Sequence, residues 1–459
     1  MNFRIGWLIL AAGLQTCAPK PYLPMNFTEK QLTFDAKGHT IHNAQAFSPA
    51  DEWIVYDTRN VDTGIGSTGS IEMVNVKTGE IKVLYQTENQ TEAGPGVGAV
   101  TFSPTQNRVL FIHGIRNANK EKPYAFARRT GVAIDTDQPG KPIFLDARDV
   151  TPPFTPGALR GGTHAHGWST DGQWISFTYN DYLLDRLSKT APAVKDLRVV
   201  GVMAPFKKVE VTDDGSQENN SGDLFSVVVT RVTESPKPGS DEIDKAFDEG
   251  WIGTDGYRKP DGSVQKRALA FQGNVRNKDD KTVAEIFVAD LPDDLTQAAD
   301  GQPLEGTETS RPNPPKGVVQ RRITFTEHGA EGPRHWLRTT PDGSLIAFLA
   351  KDPTGTVQLF GVSPNGGAIR QLTRQPFSIQ TTFNFSPDGK WLAYAADNSV
   401  FITEVATGEF RRLTPRSADD EQPRNGIVWS NKGDQIAYNR YVTTEKGRFL
   451  QLFVLEKRK

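Results

Sequence analysis

The sequence predicts an all-β protein, a β-propeller of seven blades, with a six-bladed ring as the alternative. Three observations support this fold class. A motif built on Ser-Pro-Asp-Gly recurs along the chain, runs of alternating apolar and polar residues follow most copies, and glycine (42) and proline (30) are frequent. Alternation with a period of two is typical of strands, and glycine and proline are typical of the turns that join them.

The recurring motif predicts the inner part of each blade. Its fullest form is FSPDGKWLAY, in which an aromatic residue ends one strand, Pro-Asp-Gly turns the chain and an apolar run begins the next strand. Hairpins such as SVFITEVATGEFRRL follow most copies, so each repeat supplies four strands, the content of a propeller blade. The clear copies begin at Phe47, Phe102, Trp168, Thr339, Phe385 and Trp429.

A seventh, degenerate unit is predicted between the third and fourth copies of the motif. It is interrupted by an insertion at about 234–264, where Ser240 suggests the N-cap of a short helix. A proline-rich loop follows at about 292–318. The predicted strands of this unit are residues 223–232, 267–276, 284–291 and 320–325.

The two ends of the chain are predicted to close the ring together. Outer strands containing RQLT (370–373) and RRLT (411–414) end two blades, but the last unit stops without one. A similar segment, KQLTF (30–34), precedes the first blade. We expect this N-terminal strand to complete the last blade and remove its open edge, so that residues 30–459 form one domain.

The N-terminus has the pattern of an export signal. Arg4 precedes an apolar run, Ile5 to Leu14, that is too short to span a bilayer but suits a signal peptide. The single cysteine, Cys17, ends the segment LQTC, which resembles the lipobox of bacterial lipoproteins. The resemblance implies a signal peptide (1–17), lipidation of Cys17, a linker (18–29) and a periplasmic or outer-membrane location. An ordinary cleaved signal and a soluble periplasmic protein remain the alternative.

Charge and motifs exclude several classes of function. The 53 lysines and arginines balance 55 aspartates and glutamates, so nothing indicates a nucleic-acid partner or membrane contact beyond a lipid anchor. No Gly-x-Ser-x-Gly elbow is present, so a propeller-capped serine peptidase would lack its nucleophile.

The repeats resemble the TolB-like, WD40-like propellers of bacterial envelope proteins. A closer resemblance is to the YidR-like family of exported propellers, carried by WIVYDTRN, RRTGVAID, LRGGTHAHGWSTDG, ISFTYND and GPRHWLRTTPDG. These resemblances imply a propeller facing the periplasm, and they imply no particular reaction.

Four of the seven histidines lie three to six positions before the turn of their repeat. His164 and His335 lie five positions before the serine or threonine of their turns, His166 lies three before, and His42 lies six before Ser48. This spacing places all four at one mouth of the central channel. Because residues two apart on a strand share a face, His164 and His166 are expected to point the same way and bind one ion. Imidazoles suit manganese, zinc or iron, with His39 and His328 as further contributors.

A second resemblance suggests which reaction such a metal site would catalyse. The segment THAHGWSTDG is similar to one in the oligogalacturonate lyases, propellers that hold a metal at the channel mouth. It implies metal-assisted β-elimination on a uronate, with Arg160, Arg334 or Arg338 binding the anionic groups. Gly161 stands where that family has a glutamine, so only His164 and His166 carry over, and the catalytic base is unknown. Trp251, in the predicted insertion, is a candidate for stacking on a sugar.

Two functions therefore stay open. The preferred one is a non-catalytic envelope propeller that binds a partner protein or a small ligand, an acidic saccharide among the options, at its channel mouth. The alternative is a metal-dependent carbohydrate-active enzyme. A structural role for His166 is also open, because the equivalent position holds Val100, Leu337, Phe383 or Ile427 in other blades.

Overall fold

The computed structural model describes residues 27–42 and 45–458. Their strands form seven small antiparallel sheets arranged as the blades of a propeller, and two further two-stranded sheets lie in the connections. The all-β, seven-bladed prediction is confirmed. Within these residues no helix has the length and apolar character needed to cross a bilayer. The predicted signal peptide and Cys17 lie outside the described residues.

The blades follow one another in chain order, with strands named a to d from the channel outward. Blade one has three regular strands, and its inner position is filled by the extended segment around Thr40 and Phe47, which bridges to strand b. The strands of blades one to four are Trp53–Asp57, Ser70–Asn75 and Ile81–Gln86; Val97–Phe102, Arg108–Gly114, Arg129–Asp135 and Ile143–Phe144; Gly161–Trp168, Ile175–Asp181, Val199–Ala204 and Phe225–Val228; and Ile243–Trp251, Ala268–Arg276, Thr282–Asp290 and Val319–Arg322.

The last three blades complete the ring, and a few short elements decorate it. Blades five to seven consist of Arg338–Thr339, Ile346–Lys351, Val357–Val362 and Arg370–Gln371; Asn384–Phe385, Trp391–Ala396, Ser399–Glu404 and Phe410–Arg412; and Pro423–Trp429, Gln435–Thr444, Gly447–Lys457 and Phe27–Gln31. The short elements are the strand pairs Ala147–Arg148 with Ala158–Leu159 and Tyr257–Arg258 with Val264–Gln265, the helix Tyr182–Leu187 and the 3-10 turn Gly64–Ser67.

The chain ends close the ring as predicted. Strand Phe27–Gln31 pairs antiparallel with the C-terminal strand Gly447–Lys457, and Phe27 lies opposite Lys457. The closing strand begins at Phe27, inside the segment predicted as a linker. Pairing the first strand with the last completes blade seven and joins the two ends of the chain in one sheet.

The recurring motif works as a capped turn between strands a and b. In blade six, the Ser386 hydroxyl donates to Asp388 Oδ1 (2.6 Å) and accepts from the Trp391 backbone N–H (3.0 Å). Gly389 has a φ of +70°, a conformation that glycine adopts without strain. Ser169 and Asp171 repeat the arrangement in blade three. The motif therefore fixes the turn by local hydrogen bonds in the blades that carry it.

Hydrophobic clusters lie between neighbouring blades and stabilise the ring. Val400 and Ile402 of blade six, for example, pack with Ile427 and Ile436 of blade seven, and all four side chains are fully buried. Every residue of strand Val97–Phe102 is buried as well. Since both faces of a blade are covered, its strands are apolar on both sides.

The strand assignment of the fourth blade needs correction. Residues 223–232 do not begin this blade, because Phe225–Val228 is the outer strand of blade three. The inner strand is instead Ile243–Trp251, which pairs with Ala268–Arg276. The expected helix at Ser240 is wrong, since Ser240 lies in a turn before this strand. Glycine and acidic residues in the strand hid its alternation in the sequence.

Candidate functional site

A bulge in the inner strand of blade three separates the two histidines on which the sequence hypothesis depends. The pairing register shifts between His164 and Gly167, and Ala165 between the histidines has a φ of 59°. A residue with left-handed backbone conformation breaks the simple alternation of side chains along the strand. The expectation that His164 and His166 point the same way is therefore wrong.

His164 lies on the wall of a cavity at the mouth of the channel, which we call the mouth cavity. The mouth cavity has a volume of about 180 Å³. His164 is only 3% exposed, and neither ring nitrogen has a hydrogen-bond partner among the described residues. Burial lowers its pKa well below the usual value, and the nearby guanidinium groups of Arg129, Arg198 and Arg334 add to the effect. The polar and aromatic residues of the wall are His42, Arg59, Asp62, Phe126, Arg129, His164 and Arg334.

His42 joins His164 on this wall, as the sequence predicted. Its ring lies 4.7 Å, edge to face, from the ring of Trp336, and its Nδ1 is 3.9 Å from Asp62 Oδ1. Burial lowers the pKa of His42 to about 3, with Arg59 contributing in the same direction, so the imidazole is neutral at neutral pH.

The structure does not bring His166 or His335 to the cavity. His166 turns between blades two and three, with Nε2 3.0 Å from Thr163 Oγ1. His335 is held inside blade five, where Nε2 accepts the Leu349 backbone N–H (3.1 Å) and Nδ1 lies 2.9 Å from the Pro333 carbonyl oxygen. Both are buried scaffold residues.

The two further histidines named by the sequence also lie apart from the mouth cavity. His39 is buried against Tyr56 in blade one, with ring centroids 5.0 Å apart. His328 is exposed on a loop beside Glu327. Neither lines the mouth cavity.

The three predicted anion-binding arginines are placed differently from one another. Arg160 is fully buried, ion-paired with Asp181 (2.6 Å) and bonded to the Ser310 carbonyl oxygen (2.9 Å), so it anchors a loop. Arg334 lines the mouth cavity and pairs with Asp248 at 2.8 Å. Arg338 faces the opposite half of the channel, where its Nε donates to Asn384 (2.6 Å). Only Arg334 belongs to the mouth cavity.

Trp251 lies in the channel rather than on an inserted loop. It is the last residue of the inner strand of blade four, and its indole N–H donates to the Gly167 carbonyl oxygen (2.9 Å). It helps to line a cavity of about 350 Å³ in the half of the channel that carries the Ser-Pro-Asp-Gly turns. The aromatic residues of this channel cavity are Trp168, Trp251, Trp336, Phe385 and Trp429.

Glu249 is the acidic residue of the channel cavity. Its side chain is 3% exposed, Oε2 accepts from the Thr178 hydroxyl (3.1 Å), and Oε1 has no partner among the described residues. Burial, with the neighbouring Asp248 acting in the same direction, raises the pKa of Glu249 to about 7. The sequence analysis did not identify Glu249, because its strand had not been recognised.

The residues of the mouth do not fit a transition metal. Among the described residues, no group of three or more histidine, cysteine, aspartate or glutamate side chains is placed to hold one. His42 and His164 lie beside Arg59, Arg129 and Arg334, whose positive charges oppose a bound cation. A metal site of the usual kind needs three or four such ligands, so manganese, zinc or iron has no suitable donor set here.

Arg129 is the functional candidate that the sequence analysis missed. It begins strand c of blade two, directly after Arg128, and points into the mouth cavity. Side chains of consecutive strand residues point to opposite faces, so an Arg-Arg pair at a strand start sends one guanidinium to each side. That pattern was readable in RRTGVAID, but only the fold shows which side is the channel.

Comparisons with known proteins agree with this architecture. A family model described as "Protein of unknown function (DUF3748)" matches residues 96–219, the part that contains Arg129 and His164. A second, the "Dipeptidyl peptidase IV (DPP IV) N-terminal region", matches residues 352–445. A solved oligogalacturonate lyase in complex with manganese has a TM-score of 0.51 at 12% identity, covering 95% of this chain and 97% of its own. At that identity the likeness shows the fold alone.

Two further similarities concern bacterial proteins. A putative TolB from Agrobacterium tumefaciens has a TM-score of 0.39 and 15% identity, covering 85% of this chain and 99% of its own. The Escherichia coli (strain K12) protein "Uncharacterized protein YidR" is 41% identical over 426 residues, which span 91% of this chain and 96% of the relative. Identity of this degree over nearly the whole length extends well beyond the repeated turns. The chain therefore belongs to the YidR family.

Proposed function

We propose that this protein is an envelope-facing propeller that binds a small ligand in the mouth cavity and catalyses no reaction itself. The observation that supports this proposal is the state of His164, an imidazole that is 3% exposed with both ring nitrogens unpartnered among the described residues. A buried polar group left without a partner costs about 1–3 kcal/mol. A ligand that occupies the cavity supplies the missing partner.

The surroundings of His164 favour a ligand over a purely structural role. The buried His335, at the equivalent position of blade five, has both ring nitrogens within hydrogen-bonding distance of backbone atoms. His164 lacks such contacts and adjoins open volume, and Phe126, which is 54% exposed, stands beside it with ring centroids 5.7 Å apart. A polar group aimed into a concave site and flanked by an aromatic ring is typical of ligand pockets.

Ligand retention tests this proposal. The purified protein is equilibrated with a small-molecule extract of the source cells, washed by ultrafiltration and denatured, and released compounds are identified by mass spectrometry. We expect at least one compound to be retained by the parent and by His328→Ala, an exposed-histidine control, and lost from His164→Leu. Equal retention by His164→Leu, or retention of no compound by the parent, would contradict the binding of a small ligand at the mouth.

The metal-dependent lyase receives no support from the mouth. The resemblance of THAHGWSTDG to the lyase segment rested on two histidines acting together, and the bulge at Ala165 turns His166 into the blade. We derive no catalytic step for this protein.

The location of the protein is part of the same proposal. Residues 1–17 direct export, and Cys17, the single cysteine, receives a lipid that anchors the propeller to the membrane surface. Metabolic labelling with a fatty acid checks this, with incorporation expected in the parent and none in Cys17→Ser. Export of an unlabelled parent into the soluble periplasm would instead support an ordinary cleaved signal.

A further inference from the structure

Arg129 is a buried cation without an acidic partner in the described part of the chain. Its side chain lies on the wall of the mouth cavity, and the residue is 7% exposed. Its Nε has no hydrogen-bond partner, and no acidic side chain of the described residues forms an ion pair with it. The other two arginines of the wall differ, because Arg59 is paired with Asp57 (2.6 Å) and Arg334 with Asp248 (2.8 Å).

Two aromatic rings are the partners that Arg129 does have. The guanidinium carbon lies 4.6 Å from the ring centroid of Tyr124 and 4.4 Å from that of Phe126. Such contacts stabilise a cation only in part, whereas removing an ion from water carries a larger penalty. Burial lowers the pKa of Arg129 to about 10, with Arg198 and Arg334 contributing, so the group still carries its charge at neutral pH.

Two groups near Arg129, namely Arg198 and His164, favour an anion, whereas the carboxylate of Asp62 on the same wall is paired with Arg59 at 3.3 Å. Arg198 lies over the ring of Phe126, with its guanidinium carbon 5.0 Å from the centroid, so a second cation stands near the first. His164 has two free ring nitrogens on the same wall, one of which carries a proton in the neutral imidazole. A ligand with negatively charged oxygens would accept hydrogen bonds from both side chains and neutralise Arg129.

We propose that the mouth cavity binds an oxyanion, the carboxylate or phosphate of a small ligand, with Arg129 as its ion-pair partner and His164 as a hydrogen-bond donor. This inference rests on the proposed ligand-binding function and names the chemistry of the ligand. The volume of about 180 Å³ fits the anionic group and a few adjoining atoms. The rest of the ligand extends into an adjoining space of about 420 Å³ that shares His42, Asp62 and Arg334 with the mouth cavity.

Thermal unfolding with simple anions tests the assignment. The probes are inorganic phosphate, acetate and acetamide, the last being an uncharged analogue of acetate, all at pH 7 and constant ionic strength. A ligand that binds only the folded state raises the unfolding midpoint as its concentration increases. We expect phosphate or acetate to raise the midpoint of the parent by a few degrees, and acetamide to leave it unchanged. An equal effect of acetamide would overturn the proposal.

Two matched arginine variants locate the binding group. Arg129→Met removes the unpaired cation, while Arg108→Met removes an arginine of the same blade that is already paired with Asp135 (2.6 Å). The midpoint shift is expected to persist in Arg108→Met and to disappear in Arg129→Met. A shift that persists at full size in Arg129→Met would overturn the proposal.

The unfolding midpoints of the parent and Arg129→Met in buffer without added anion distinguish ligand binding from a structural role of Arg129. In that buffer Arg129→Met should unfold at the same temperature as the parent or higher, because the variant lacks a buried uncompensated charge. Added phosphate or acetate should then reverse the order. A variant that is less stable than the parent in every buffer would show that Arg129 acts only through its aromatic contacts, against the proposal.

The remaining outcomes distinguish the ligand source and the two proposals. A shift with phosphate alone assigns a phosphorylated ligand, and a shift with acetate alone assigns a carboxylate. If neither anion shifts the midpoint while His164→Leu still abolishes retention of an extract compound, the ligand-binding function stands and the anion assignment fails. If the anion shift depends on Arg129 but no extract compound is retained, the anion site stands and the wider function fails.

Discussion

Arg128 and Arg129 are neighbours in the sequence and buried to a similar extent, yet they stand in opposite electrostatic situations. Arg128 donates to Glu218 Oε1 (2.5 Å) and to Asn117 Oδ1 (2.6 Å), and Glu218 is further contacted by Arg148. Arg129, one position later, contacts two aromatic rings and the cavity and forms no ion pair with an acidic side chain of the described residues. The Arg128 region is a closed network inside the scaffold, whereas the Arg129 region leaves its polar groups for something that is not part of the chain.

The presence or absence of partners for buried polar groups indicates where a ligand site lies in this repeat protein. Buried charged groups of the scaffold have ion-pair partners within it, as Arg128 and Arg148 have in Glu218, although a single atom such as Arg128 Nε has no partner among the described residues. The channel groups Arg129, His164 and the Oε1 atom of Glu249 lack such partners among the described residues. Stability measurements can separate the two classes, because only the first should lose interactions on substitution.

The largest expected effect is at Arg128. Its replacement by methionine leaves the carboxylate of Glu218 buried with a weakened set of partners, because Arg148 Nη2 is 3.4 Å away. Breaking a buried ion pair in this way destabilises a protein by roughly 3–5 kcal/mol. The free energy of unfolding from urea denaturation should fall by that amount in Arg128→Met and change little in Arg129→Met. An equal fall in the free energy of unfolding of the two variants would show that the two arginines contribute to stability in the same way.

The next effect concerns pH and Glu249. Because burial raises its pKa from 4.5 in the unfolded chain to about 7, the stability that this group contributes is complete below pH 4.5 and is lost as the pH rises through 7. Glu249→Gln should therefore be more stable than the parent at pH 8, by at most about 3 kcal/mol, with the difference vanishing near pH 4.5. Unfolding midpoints measured from pH 4.5 to 8 check this.

Glu285→Gln is the matched control for the Glu249 prediction. Glu285 is equally buried but paired with Arg322 at 3.2 Å and bonded to Thr326, so its replacement should destabilise the protein at pH 8. A gain in stability for Glu249→Gln and a loss for Glu285→Gln at pH 8 would show that the channel carboxylate lacks the partners that the scaffold carboxylate has. Parallel pH profiles for the parent and Glu249→Gln would contradict it.

A smaller effect on the free energy of unfolding is expected at the two histidines that occupy equivalent positions in blades three and five. His335→Leu removes the acceptor of the Leu349 backbone N–H and a partner of the Pro333 carbonyl, and should cost roughly 2 kcal/mol. His164→Leu breaks no hydrogen bond within the described residues and should leave the free energy of unfolding unchanged or raise it by up to about 3 kcal/mol, because it removes an unpartnered buried polar group. A His164 variant as unstable as the His335 variant would assign both residues to the scaffold.

The smallest expected effect is on metal content. Elemental analysis of the purified protein should find no stoichiometric manganese, zinc or iron, and His164→Ala should not change the result. One equivalent of such a metal in the parent, retained by His328→Ala and lost from His164→Ala, would restore the metal hypothesis that the placement of His166 and His335 does not favour.

Most of the fold was predictable because its signals are local. The Ser-Asp turns are held by hydrogen bonds among residues a few positions apart, as Ser386 shows, and the strands that follow alternate or are continuously apolar. The fourth blade was misassigned where those signals are missing. Its inner strand has no Ser-Pro-Asp-Gly turn after it, and Asp248, Glu249 and Gly250 interrupt the apolar pattern.

The site was predictable only in part. The place of His42 and His164 at one mouth followed from their position in the repeat, and both line the cavity. The orientation of His166 depended on a bulge at Ala165, a residue whose left-handed backbone nothing in its side chain indicates. Arg160 was predicted to bind an anion and Arg129 was not, whereas the structure places Arg129, and not Arg160, at the mouth cavity. The sequence could not show this, because the ion-pair partners of such arginines come from distant parts of the chain.

The sequence alone predicted the ring and its closure and favoured seven blades over six, since turns, alternation and the shared RQLT-type strands act over short distances or repeat. The tertiary structure alone decided which polar side chains are satisfied. Arg128 meets Glu218 across 90 positions of sequence, while Arg129 forms no ion pair with any acidic side chain that the structure describes. Pairing of buried charges is a property of the packed fold, because it depends on which groups burial brings within a few ångströms and which it leaves facing an open cavity.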